Sequence, residues 1–149
     1  MKYERPSPGE AWFNRVFGLL VRAGIGMRYN VLLQVRGRKS GRIYSTPVNV
    51  LDHNGRRYLV APRGHTQWSR NALASGEVTL VRAFRSEAVG VHAIPHEAKP
   101  EILKAYLDRF AGVVQRYFPV RAGSPAEAFR PLAADYPVFE ITALPTLSA

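Results

Sequence analysis

Cysteine is absent from this sequence, which excludes disulfides, thiolate nucleophiles and Cys-ligated metal sites together and fits a reducing compartment such as the cytoplasm. Acidic residues are scarce, 11 Asp and Glu against 21 Lys and Arg, for a formal charge of +10. Lysine is scarce as well, confined to Lys2, Lys39, Lys99 and Lys104, so arginine supplies most of the positive charge. The planar guanidinium grips phosphates and carboxylates in bidentate fashion, although charge alone also suits nucleic acid or an anionic membrane. Long apolar runs are missing. The most apolar N-terminal stretch, AWFNRVFGLLVRAGI, is interrupted by Asn14, Arg15 and Arg22 and has no cleavage site, so neither a signal peptide nor a transmembrane span is expected. His53, His65, His92 and His96 show no metal-ligand spacing with carboxylates, so no metal site is expected, and His65 reads as a solvated loop residue.

What remains is a chain of 149 residues without repeat, low-complexity tract or linker. That length suits one domain, residues 1 to 149, burying roughly 70% of the surface its unfolded form exposes. Ser7-Pro8-Gly9-Glu10 matches a capping box, and Trp12, Phe13, Val16, Phe17, Leu20 and Ala23 then recur at helical spacing, predicting a first helix over 8–23. Strands are predicted over 29–36, 42–52, 56–61, 77–85 and 88–94, with an Asn54-Gly55 turn. Thr66 is placed to cap a short helix that Gly76 stops. A longer helix is predicted over 98–117, Ser124-Pro125-Ala126-Glu127 signals a brief further one, and PVFEITAL closes as a strand. The order of elements implies an α+β fold, an antiparallel sheet or small barrel with flanking helices.

Chemistry concentrates in two turns. In VRGRKSGRIYSTPV, residues 35 to 48, Gly37 and Gly41 bound a turn carrying Arg36, Arg38, Lys39, Ser40 and Arg42. Like charges repel there unless an anion neutralises them. The spacing is not that of a P-loop, but glycines that turn amide N–H groups inward make a nest for phosphate oxygens. A hairpin turn with solvated charges is the alternative reading. Ala61-Pro62-Arg63-Gly64-His65 leads to Trp68 and Asn71, which at i and i+3 share one side of the short helix. Core packing is the alternative for Trp68.

GRKSGRIYSTPV at 37–48, YLVAPRG at 58–64, the pair Trp68 and Asn71, and the terminal PVFEITAL together resemble the deazaflavin-dependent nitroreductases and quinone reductases, split β-barrel proteins that bind coenzyme F420. The resemblance covers roughly 29–144. It implies that Arg38, Lys39 and Ser40 hold the coenzyme's phosphate and acidic tail, that Pro47 and Val48 line the deazaflavin pocket, and that Arg63, Trp68 and Asn71 complete the groove. The same resemblance makes Tyr117 the first candidate to donate a proton to the reduced acceptor, ahead of Tyr106 and Tyr136, with core packing as the alternative for all three. The implied activity is hydride transfer from the reduced deazaflavin to a small-molecule acceptor.

Two departures qualify the likeness. Pro62 stands where relatives often carry Ala or a hydroxylated residue, and it has no N–H to donate. Nitroimidazole-reducing members carry a tyrosine cluster in which Tyr117 has a counterpart here, whereas Val120 and Gly123 lack the hydroxyl. A quinone or enone is therefore the expected acceptor. Val113, Val114, Phe118 and Val120 would form a hydrophobic wall beside Tyr117. A flavin mononucleotide protein of the same architecture, or a non-catalytic basic module, are the competing readings. Arginines scattered over helices, strands and turns argue against nucleic acid. Barrels of this sort often pair as homodimers. Arg15 and Arg22 opposite the apolar face of the first helix also permit peripheral membrane contact, with packing over a barrel end as the alternative.

Overall fold

A computed structural model describes residues 31–83 and 85–144. The helix expected over 8–23, and with it the membrane contact it would permit, lies outside the described residues, as do the first two residues of the strand expected over 29–36.

Seven strands form one antiparallel sheet: β1 (Val31–Arg36), β2 (Ile43–Val48), β3 (Val50–His53), β4 (Arg56–Val60), β5 (Glu77–Arg82), β6 (Arg85–Ala93) and β7 (Val138–Ala143). Helix α1 (Gln67–Ser75) crosses from β4 to β5, and α2 (Lys99–Val114) follows β6. Short 3-10 segments cover His96–Ala98, Gln115–Tyr117 and Ala126–Asp135.

The strand order is β2-β1-β5-β6-β7-β4-β3. Flat, such a sheet would hold its two edge strands about 29 Å apart, at roughly 4.8 Å per spacing. Yet β2 and β3 are the edges, and Asn49 alone joins them in sequence. Val48 and Val50 are therefore at most about 7.6 Å apart, two trans peptide steps. The sheet must curl until its edges nearly meet, which makes it a split half-barrel with its seam at Asn49. The single strand predicted over 42–52 is thus two strands belonging to opposite edges.

Alternation along the strands separates two cores. Val31, Leu33, Val35, Val48, Leu59, Val78, Leu80, Val89, Val91, Phe139 and Ile141 fill the inside of the curl, closed by Ala72 and Trp68 of α1. Leu51, Tyr58, Val60 and Val138 face the other way and pack with Ile102, Leu103, Tyr106 and Leu107 of α2. This period of two on the strands and 3.6 on α2 is what each layer needs to bury one face.

The helices differ from expectation at their ends. Thr66 precedes α1 in an extended conformation, but its side chain makes no cap bond; its hydroxyl donates to Ser69 Oγ instead, and Ser69 Oγ donates to the Thr66 carbonyl. Gly76, at φ 76°, ends α1 as predicted, its N–H bonded to the Ala72 carbonyl. The helix predicted over 98–117 stops at Val114, with non-helical angles at Phe110, and tightens into the 3-10 turn at Gln115–Tyr117. The capping-box signature at Ser124 produces no cap and no α-helix. Pro131 removes a donor in mid-segment, so Ala126–Asp135 stays in 3-10 turns.

Candidate functional site

The basic turn is the tip of the β1–β2 hairpin, where Arg36 pairs with Ile43. Gly37 N–H donates to the Arg42 carbonyl at 2.6 Å, and Gly41 N–H, at φ 74°, returns to the Gly37 carbonyl at 3.0 Å. A Cβ on Gly37 would meet the Tyr44 ring at 2.6 Å, and the φ of Gly41 strains any other residue. Arg36 Nη1 closes on the Gly41 carbonyl at 2.9 Å. Inside this frame, the backbone N–H groups of Lys39 and Ser40 and the exposed Lys39 ammonium have no partner among the described residues. The Ser40 hydroxyl is partly used: it accepts from Arg42 N–H at 3.2 Å and lies 3.3 Å from Tyr44 Oη.

Arg38 and Asn71 meet directly across 33 positions of sequence. The Arg38 N–H donates to Asn71 Oδ1 at 3.1 Å, and Arg38 Nη1 donates to the same oxygen at 2.7 Å and to Gln67 Oε1 at 2.8 Å. Asn71 is buried, so this shared acceptor clamps the hairpin tip to α1. Trp68, one turn back, packs into the barrel core beside Phe139, ring centroids 6.1 Å apart. Val48 is buried in the same core, and Pro47 is half-buried opposite Leu32 of β1.

The second turn leaves β4 through Ala61, whose N–H bonds the Pro137 carbonyl at 2.9 Å, and Arg63 is exposed on it. His65 lies in the loop as expected but is only partly solvated. It is half-buried, and its Nε2 lies 2.9 Å from the Ala134 carbonyl. Lys99 Nζ holds the neighbouring Ala133 carbonyl at 2.8 Å from within the core, where burial pushes its pKa down. Sequence periodicity carries no signal for either tie.

Tyr117 belongs to the other layer. It packs with the α2 cluster, as do Val113, Val114, Phe118 and Val120, whereas Val48 and Trp68 belong to the barrel core. Val114 and Phe118 are buried, so they back the expected wall and do not form its surface; Val113, Tyr117 and Val120 are partly exposed. Arg116 Nη2 donates to Tyr117 Oη at 2.6 Å, and its guanidinium stacks 4.8 Å from the ring centroid. The Tyr136 hydroxyl donates to the Tyr117 carbonyl, and its ring stacks on Phe118 at 4.6 Å. Burial, and then Asp135, raise the Tyr136 pKa, so that phenol stays a donor. Gln115 braces the following loop, donating to the Val120 carbonyl and accepting from Ala122 N–H. Asp108 accepts from Lys104 Nζ and from Gly123 N–H, and these two bonds, led by Lys104, hold its pKa low. Among the described residues no three His, Asp or Glu side chains are grouped to hold a metal ion, and no helix is long and apolar enough to cross a membrane.

Solved structures share this fold at low identity. One is an F420-H2 dependent reductase, FDR-A, at 19% identity and TM-score 0.50, covering 74% of this chain and 91% of that one. Another, a domain-swapped dimer, has 18% identity and TM-score 0.53 over 91% of this chain and 99% of that one. A third, of unknown function from Agrobacterium tumefaciens, reaches TM-score 0.57 at 15% identity, over 94% of this chain and 57% of that one. No curated protein matches the chain significantly. The family model for F420H2-dependent quinone reductases matches residues 11–121, spanning the basic hairpin, α1 and α2. The curled seven-stranded sheet and that match lead to one conclusion: the chain belongs to the F420H2-dependent quinone reductase family, and it is an oxidoreductase whose cofactor is coenzyme F420.

Proposed function

We propose that residues 1–149 form one catalytic domain that reduces a conjugated, fairly apolar carbonyl acceptor, a quinone or an enone, at the expense of reduced F420. The observation that carries the reading is the hairpin tip. It offers two amide N–H groups and an exposed ammonium at Lys39 and Ser40 that have no partner among the described residues, inside a turn braced by the hydrogen bonds of Gly37, Gly41 and Arg36. A polyanionic tail fits that donor set: amides bind phosphate oxygens directionally, and the exposed cation adds a charge-assisted contact.

When bound, the reduced deazaflavin supplies the hydride; the protein supplies place, shape and a proton. Lys39 and Ser40 bind the anionic tail. Arg38, through Asn71 and Gln67, holds the turn against α1 and adds positive potential. Arg63, exposed on the second turn, extends the cationic track. Pro47, the partly exposed residue of the pair, would border the ring, while Val48 and Trp68, packed in the barrel core, back the strand and helix around it. Tyr117 accepts a hydrogen bond from Arg116 and keeps its own proton to give. A guanidinium on that oxygen also stabilises the phenolate left after the proton has moved to the acceptor oxygen. The apolar Val113 and Val120 beside it, with the hydroxyl expected of relatives missing at Val120 and Gly123, favour a flat apolar acceptor over a bicyclic nitroimidazole. Pairing of two copies is supported by the domain-swapped dimer among the structural neighbours and by the β2 edge, which has no second partner strand among the described residues and where Ile43 and Tyr44 are 56% and 50% exposed.

Stopped-flow oxidation of the reduced coenzyme by a panel of quinones, enones and nitroimidazoles tests the acceptor class. Quinones or enones should be fastest, and nitroimidazoles as fastest acceptors would refute the pocket reading.

A further inference from the structure

Five polar or charged side chains are buried among the described residues: Asn49, Thr66, Ser69, Asn71 and Lys99. Four are satisfied within the fold. Thr66 and Ser69 bond each other and the Thr66 carbonyl, Asn71 takes Arg38, and Lys99 takes the Ala133 carbonyl. Asn49 is the exception: it is 3% exposed, and its Nδ2 has no hydrogen-bond partner.

A buried amide donor left unmade is costly, and an apolar residue of the same volume would fill the space without that cost. The position makes the omission informative. Asn49 is the one residue between β2 and β3, at the seam where the edges of the curled sheet nearly meet, and it belongs to neither ladder. It follows Pro47 and Val48 directly and precedes Val50, which packs on the barrel core.

We propose that Asn49 is a ligand-binding residue whose Nδ2 donates to a ring carbonyl oxygen of the bound redox pair. The inference rests on the proposed placement of the deazaflavin ring beside the Pro47–Val48 segment, at the end of β2. A conjugated ring carbonyl is shared chemistry: the pyrimidinedione edge of the deazaflavin presents one, and so does a quinone. The amide suits a neutral carbonyl because it adds a directional donor without the desolvation cost of a buried charge. As electron density grows on that oxygen during reduction, the same N–H strengthens its hold.

The test uses Asn49→Leu and Asn49→Ala in the full chain, with three readouts: melting of the ligand-free protein, titration with oxidised F420, and the KM for a naphthoquinone at saturating reduced F420. Asn49→Leu should melt no lower than the parent, since an unpaired donor has been removed. If the oxygen is the coenzyme's, both variants should bind F420 roughly tenfold more weakly; if it is the acceptor's, F420 affinity should hold and the quinone KM should rise by a similar factor. A Leu variant that melts well below the parent would overturn the proposal, because the amide would then serve the fold. So would Ala and Leu variants with parental affinity and KM. The parent is titrated alongside. If the parent fails to bind F420, the site reading falls as a whole; if the parent binds and the variants match it, only the role of Asn49 falls.

Discussion

Lys39 is the residue on which cofactor affinity should turn. Its side chain is exposed and packs on nothing in the core, so removing it should leave the fold intact. Lys39→Ala should weaken F420 binding by about 1.5 to 3 kcal/mol, the range for a hydrogen bond to a charged group, with the loss shrinking as salt rises. Melting and titration at two ionic strengths check this; an unfolded variant, or one with parental affinity, removes Lys39 from the site. Asp108 makes a different kind of prediction. Its folded pKa is depressed, so its contribution is present above the unfolded-state aspartate pKa and is lost as pH falls through the lower folded value. Asp108→Asn should therefore be less stable than the parent near neutrality, by at most about 1 kcal/mol because the carboxylate is more than a third exposed to solvent screening, and the two should converge in acid. Urea unfolding across a pH series shows whether the curves meet there.

At the scale of elements, the hairpin tip and α1 act as one piece because Asn71 Oδ1 accepts twice from Arg38. Asn71→Ala leaves a part-buried backbone donor and a guanidinium short of an acceptor, so it should both lower stability, by about 1 to 2 kcal/mol, and loosen the proposed anion-binding turn. Thermal melting together with F420 titration should show both losses, in contrast to the affinity loss alone expected of Lys39→Ala. The local parts of this arrangement are legible in the sequence: glycines bound the turn, Gly76 stops α1, and alternating Val and Leu mark the strands. The clamp itself is not, since a bond between positions 38 and 71 leaves no periodic trace. The same holds for His65 and Lys99, which reach the Ala134 and Ala133 carbonyls across the fold. The segment after α2 misleads for a local reason: Ser124 and Glu127 have the spacing of a capping box, but Pro131 denies a helix its continuing hydrogen bonds.

For the whole molecule, the seam is the feature that composition and periodicity miss. Residues 42 to 52 read as one β-rich run, yet Asn49 divides it between the two edges of a seven-stranded sheet, because only the global strand order shows that those edges must converge. That curl brings the basic hairpin, α1 and the seam into one half-barrel, and the +10 charge gives the chain a general affinity for anions that the proposed site at the hairpin tip would make specific. A long polyanionic tail should engage more of the cationic track from Lys39 to Arg63 than a single terminal phosphate does. Parallel equilibrium titration of the purified protein with F420 and with flavin mononucleotide tests this most directly: tighter binding of F420 is the predicted result, and equal or tighter binding of flavin mononucleotide would contradict it.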